Sequence, residues 1–302
     1  MPNELGRGSK ALAAWKERHA PDGAAVRSGG GIHVVDVPGG RRAGTLLVHF
    51  AALDRAEAEK DLPGDPAAVA ARAGWTGLHV LSEGRSWFRE PFVTGLFDGR
   101  NEGEWFDGFE QIVFHGTGPA GYAAAAYSLA APGARVVAIA PVATLDPRVA
   151  PWDRRTPEGR RLDWWGPYAY APDMARGAGA AFVLFDPQVD EDAMHAALFL
   201  GAGATALRMR GAGPAPEVVL RQGGGMGRLL GSAALGDLDP ESFAEIWRDA
   251  RRSSPLYLMR LADRLHAARR PALLSAVLRH GAGAVPYRRF ARLARLAGVT
   301  KG

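Results

Sequence analysis

The chain has 302 residues, 47% hydrophobic and 23% charged, which suits one large core or a core with an appendage and excludes a disordered or low-complexity protein. It has no cysteine, so disulfides, thiolate metal sites and a cysteine nucleophile are excluded. The net charge of +5 rests almost wholly on arginine; beside so much alanine and glycine it reads as compositional bias, and no nucleic-acid partner is expected.

In chain order, the opening MPNELGRGSKALAAWKERHAPDG has no apolar region of signal-peptide length. Nothing later nears the ~18–20 apolar residues of a membrane span. A cytoplasmic protein without a membrane partner is the expectation. Residues 9–18 read as a short helix, capped by Ser9, with Ala11, Leu12 and Trp15 on one face. Ile32 to Val37 reads as a strand, and TLLVHF at 45–50 as a strand buried on both faces. Residues 65–73 read as a helix with Asp65 as cap and Pro66 at its first position. GLHVL at 77–81 is the next strand, and Ser86 to Val93 is ambiguous. QIVFH at 111–115 is a strand, followed by a glycine turn and an alanine-rich helix from about 121 to 130. RVVAIA at 135–140 and AFVLF at 181–185 are strands either side of an irregular, Pro- and Trp-rich segment, 141–178. Residues 190–198 read as a helix and 204–209 as the last strand.

Strands alternating with helices predict a mostly parallel sheet with helices on both faces. From about residue 236 the strand signal stops. Helices are predicted at 240–252, 255–267, 270–280 and 286–297, so the chain is expected to divide into 1–235 and a helical appendage, 236–302. GGGMG at 223–227 lacks the G-K-[ST] of a phosphate loop and reads as a hinge.

The segment HGTGPAGY, 115–122, joins a strand to a helix and admits two readings. As G-x-G-x-x-G, the glycines Gly116, Gly118 and Gly121 would let a nucleotide or flavin pyrophosphate approach the backbone at the helix N-terminus. That fold needs an acid at the end of the next strand, where this chain has Ile139, Ala140 and Pro141. The other reading is a nucleophile elbow, a strand–turn–helix with small residues around the nucleophile.

The second reading carries a resemblance. HGTGPAGY is similar to the Y-G-x-S-x-G-G-Y stretch of bacterial α/β-hydrolase-like proteins, with Gly118 where the serine stands. GARVVAIAPVATLDPRVAPWDRR, FDPQVDEDAMHAALF and RRSSPLYLMRLADRL resemble later segments of the same proteins. The group is an uncharacterised alphaproteobacterial set, some members of which are labelled phosphoadenosine phosphosulfate reductase. That label does not suit a chain without a thiol. The resemblance spans roughly residues 45–280. It implies an α/β-hydrolase fold in which the triad follows the order Ser, Asp or Glu, His. The acid position falls on Asp186, which also reads as the cap of a turn before Pro187. The histidine is due near 210–216, but RGAGPAP holds none. Thr117 lies one residue early, with its side chain expected to point away from the nucleophile position. His49 and His115 sit at the carboxyl ends of buried strands, where open α/β sheets bind ligands, and each also reads as a hydrogen-bonded structural histidine.

Three functions follow as expectations. The first is a catalytically degenerate α/β-hydrolase-like protein whose cleft binds a small molecule or a partner. The second is a hydrolase or acyl- or glycan-modifying transferase that works without the serine, through Asp186, His115 and His49. The third is a nucleotide or flavin binder at Gly116, Gly118 and Gly121. No cofactor is expected under the first reading. His195, three residues after Asp192 on a helix, lacks a third ligand, so no metal is expected either. Ser128 reads as packing. Trp87 with Arg85 and Arg89 could hold an anionic or sugar-like ligand. Trp152, Trp164, Trp165, Tyr168 and Tyr170 read as a cap that mostly packs on the sheet edge. Arg251, Arg252, Arg269, Arg270, Arg288 and Arg289 read as solvated helix faces.

Overall fold

A computed structural model describes residues 5–40, 44–84 and 86–299. Arg85 and the side chain of Ser9 lie outside the described residues. The strands are β1 (Ala25–Gly29), β2 (Ile32–Val37), β3 (Thr45–Ala52), β4 (Thr76–Ser82), β5 (Gln111–Thr117), β6 (Arg135–Ile139), β7 (Ala180–Phe185) and β8 (Thr205–Arg208). The helices are α1 (Leu5–His19), α2 (Leu53–Ala58), α3 (Pro66–Ala73), α4 (Pro91–Glu102), α5 (Pro119–Tyr127), α6 (Ala171–Met174), α7 (Asp190–Gly201), α8 (Pro216–Gln222), α9 (Met226–Leu235), α10 (Pro240–Ser253), α11 (Pro255–Ala267), α12 (Pro271–His280) and α13 (Arg288–Leu296).

The eight strands form one sheet in the order β1-β2-β4-β3-β5-β6-β7-β8. β2 is antiparallel to both neighbours, and every pair from β4 to β8 is parallel. β5 therefore lies near the centre, and all strands but β2 present their carboxyl ends to one edge. This is the α/β-hydrolase-like architecture. Alternation along each strand sorts the side chains between two faces. Leu46, Val48, Phe50 and Phe114 join α5 in one core, whereas Leu47 and Val113 pack with α3, α8 and α9 in another.

Local chemistry accounts for the helix boundaries. Asp65 accepts hydrogen bonds from Ala67 N and Ala68 N, with Pro66 at the first position of α3. Asp239 and Ser242 form a reciprocal capping box on α10. Several expectations need correction. α1 begins at Leu5, so residue 9 lies inside the helix and not at its cap. The ambiguous 86–93 stretch is a loop running into α4, and β1, α2, α8 and α9 fall on segments whose patterns are too short to read. The glycines at 223–225 are no hinge: a Cβ on Gly223 would strike the Ala250 backbone, so this turn is where α10 crosses closest.

The core does not stop at residue 235. Phe243, Ile246 and Trp247 of α10 pack in the same cluster as Leu47 and Val113. A separate small core begins within α11, where Leu258 and Met259 meet Leu274, Leu278, Phe290 and Leu293 of α12 and α13. No helix among the described residues is long and apolar enough to cross a membrane.

Candidate ligand cleft

β5 runs into α5 through a sharp turn at Gly118, whose φ is 60° and ψ −121°. This backbone conformation is strained for a residue with a side chain. Gly118 N donates to Ile139 O at 2.9 Å, and Gly118 O accepts from Tyr122 N at 3.0 Å. The flanking glycines let the helix cross the strand closely. A Cβ on Gly116 would collide with the Ala120 carbonyl, and one on Gly121 would stand 3.1 Å from Gly116 O and 3.2 Å from Pro141 Cβ. A Cβ on Gly118 would meet nothing within 4 Å. Pro119, next in the chain, has no N–H to offer.

Beside this turn lies a cavity of about 410 Å³. Thr117, Pro119 and Ala120 form its floor, and Trp15, Phe50, Trp87, Phe88 and Pro66 supply apolar wall. His49 lines it from the end of β3, and Arg155 and Thr156 reach it from the 141–178 segment.

The polar side of the cavity is an ion-pair cluster. Glu217, on the first turn of α8, is 6% exposed and sits 2.9 Å from Arg55 of α2. Arg55 also reaches Glu59 at 2.9 Å. Arg221 holds Glu59 at 2.8 Å and donates to the carbonyls of Glu59, Leu62 and Pro63. Burial pushes the Glu217 carboxyl up. Arg55, His115, the nearby Thr117 hydroxyl and Arg221 outweigh it, and the group lies below the usual carboxylate range. Burial leaves Glu59 above that range despite Arg55. Thr117 Oγ1 completes no hydrogen bond of ordinary geometry. Glu217 was not singled out from the sequence. Its only signal is its place one residue beyond 210–216, the stretch where the triad histidine was sought.

His49 and His115 are brought together. They are directly opposed in register on β3 and β5, and their rings stack at 5.6 Å. His79, opposite His49 on β4, adds a third ring at 5.7 Å, with Trp15 beyond it at 5.0 Å. His115 Nδ1 donates to Val137 O at 2.9 Å, which leaves Nε2 as an unprotonated acceptor in the neutral ring. That Nε2, with His49 Nδ1 and His79 Nδ1, has no hydrogen-bond partner in the protein. Burial, and for His49 then the neighbouring His115, holds His49 and His79 well below the usual imidazole range; burial also lowers His115.

Asp186 stands apart from this group. It follows β7 directly, but its oxygens accept from Gln188 N at 3.0 Å and Gly213 N at 2.7 Å, tying two loops together. It does not line the cavity. His195 also has its nitrogens engaged. Nδ1 accepts from Ala143 N at 3.2 Å and Nε2 donates to Asp153 Oδ2 at 2.9 Å. Arg155 bridges Asp153 and Asp192 at 2.9 and 2.7 Å. This network pins the 141–178 segment to α7. Arg89 is likewise committed: it donates to Asp163 O, Tyr122 Oη and Trp165 O, so it clamps the cap. Trp164 and Tyr168 are core residues, and Trp165 is 67% exposed. Ser128 donates to Ala125 O in the helix body. No group of three or more metal-binding side chains is gathered among the described residues.

No family model matches the chain, and no curated protein matches it in sequence. Solved structures overlap it at low identity. An esterase from Pyrobaculum calidifontis aligns over 78% of this chain and 92% of its own, at 16% identity and a TM-score of 0.48. Est1E from Butyrivibrio proteoclasticus covers 63% and 89% at 12% identity, with a TM-score of 0.39. The capsule O-acetyltransferase of Neisseria meningitidis serogroup A covers 62% and 85% at 10% identity, with a TM-score of 0.38. At such overlap the strand order, not these neighbours, defines the fold.

Proposed function

We propose that this chain is an α/β-hydrolase-like protein that has lost serine acyl-transfer chemistry and keeps the cleft beside the elbow as a binding site for a small, uncharged, largely apolar ligand. The observation that carries this reading is the pair Gly118–Pro119. In an elbow of this fold the nucleophile occupies the strained turn position, and the next residue's N–H stabilises the oxyanion. Here the turn residue has no side chain and the next residue has no N–H. The segment after β8 offers Glu217 in place of a histidine, and Asp186 is spent on backbone donors. The glycines that suggested a pyrophosphate loop have another use, since Gly116 and Gly121 are filled by close backbone approach.

The ligand class follows from the walls. Arg55, Arg155 and Arg221 each already meet carboxylates, so their charge is balanced within the protein and the cavity offers an anionic ligand no uncompensated cation. Aromatic and proline surface supplies burial, and the hydroxyl-bearing residues Ser82, Ser86 and Thr156 also line the cavity. Such a cavity suits a compact apolar body carrying one hydrogen-bonding group.

The test has two arms. A fluorophosphonate probe should leave the intact mass unchanged, and short p-nitrophenyl esters should hydrolyse no faster than in buffer. An adduct on Thr117, Ser82 or Ser86 would sink the loss of acyl transfer. Uncharged six- to ten-carbon alcohols and amides should quench the fluorescence of Trp15 and Trp87 and raise Tm. Binding by the matching carboxylates alone would overturn the ligand class.

A further inference from the structure

Charge is divided unevenly along this chain. Residues 251–302 carry eleven arginines and one lysine against Asp263 alone, while the 250 residues before them carry 25 basic and 31 acidic side chains. The basic stretch is a structural unit, because α11, α12 and α13 close on their own apolar core. A bundle of this length has a radius of gyration of about 9 Å, close to the ~8 Å screening length at physiological salt. Neighbouring charges on one helix face therefore still interact, while those across the bundle are largely screened.

Few of these charges are neutralised. Arg289 pairs with Asp263 at 2.6 Å, and Arg264 donates to Gln188. Arg252, Arg269, Arg270, Arg279, Arg288, Arg292 and Arg295 are exposed and have no carboxylate partner among the described residues. On α13, Arg288, Arg292 and Arg295 recur at helical spacing on one stripe, opposite the buried Phe290 and Leu293. The stripe is about 10 Å long, the span of about three base-pair steps.

We infer that this helical bundle is a docking surface for the phosphate backbone of a nucleic-acid duplex. Guanidinium groups suit phosphate through their forked donors. A membrane surface would take up large apolar side chains of α13, but Phe290 and Leu293 are buried in the bundle core. The exposed leucines, Leu273 and Leu296, stand singly on different helices. No large aromatic side chain of the bundle is exposed to stack on unpaired bases, so the contact is with the backbone and is indifferent to sequence. This inference stands apart from the ligand cleft, since none of these arginines lines that cavity.

The experiment uses the full chain and a fluorescein-labelled 24-base-pair DNA duplex, with anisotropy read from 50 to 200 mM salt. Binding should weaken by about 10³-fold or more over that range, as six or more phosphate contacts require. The triple variant Arg288→Gln/Arg292→Gln/Arg295→Gln changes exposed positions only, and its circular dichroism should match the wild type. It should bind at least tenfold more weakly at 50 mM salt, and its log–log salt slope should be shallower by about three. The Lys triple should keep most of the binding. No binding at 50 mM salt, a slope unchanged by the Gln triple, or tighter binding to phosphatidylglycerol vesicles or polyglutamate than to the duplex would each overturn the inference.

Discussion

At Gly118 a strand enters a helix through a sharp turn, and on the proposed reading this is the nucleophile position without a nucleophile. A side chain there has open space but a strained φ of 60°. Gly118→Ser should therefore fold, at a cost of about 1–3 kcal/mol for a non-glycine residue in that region, read as a Tm lower by about 2–6 °C. It should gain no esterase activity and no fluorophosphonate adduct, because Pro119 still supplies no N–H and residues 210–216, just after β8, hold no histidine. An adduct on the new serine would mean that a base reaches the turn. The missing hydroxyl and the absence of histidine from 210–216 were both legible in the sequence. So was Pro119, once the following N–H is known to matter. The turn cap at Asp186 was legible from the Asp-Pro pair, and Gln188 N donates to it, whereas its second donor, Gly213 N, lies 27 residues away and was not.

Among the elements, the 141–178 segment shows best how irregular chain is held in place. It has little regular hydrogen bonding to hold it, and buried side chains take over. Asp153 is the centre. Burial would raise its carboxyl, but hydrogen bonds from His195 and Arg155 hold it far below the usual range. His195→Ala removes both the donor to Asp153 and the acceptor for Ala143 N. It should cost about 3 kcal/mol, typical of breaking a buried network, and limited proteolysis should cut first between 144 and 165. Unchanged protease sensitivity would argue against this role. The sequence placed His195 near Asp192 by spacing, whereas the true partner is Asp153, and Arg155 links the three.

For the whole molecule, acidity is the sharpest probe. His49, His79 and His115 lie side by side in the sheet with their pKa values lowered by burial. In the unfolded chain each titrates near 6.5. Below that pH the unfolded chain binds protons that the native sheet does not, so stability is complete above about 6.5 and falls as the pH drops. Three such groups give a slope of up to about 4 kcal/mol per pH unit. Glu217 adds to the loss further down, since its lowered folded pKa stabilises the fold above the ordinary value and is lost as the pH falls through it. Urea denaturation at pH 7.5, 6.5 and 5.5 should give steadily lower stabilities, and His79→Leu should flatten the slope by about one proton. A maximum at pH 5.5 would contradict the neutral histidine row.

Read alone, the sequence determined the layered fold, because strand and helix periods are local properties of short runs such as TLLVHF and QIVFH. It also determined that residue 118 carries no side chain, since a missing side chain is missing in any fold. Strand order decided the rest. Placing β3 between β4 and β5 put three histidines, 30 and 36 residues apart, into one row. Folding α8 back over the elbow set Glu217 against Arg55, 162 residues away, and closing three basic helices on one core turned scattered arginines into a surface. Such meetings depend on which strands become neighbours, and no local pattern carries that information.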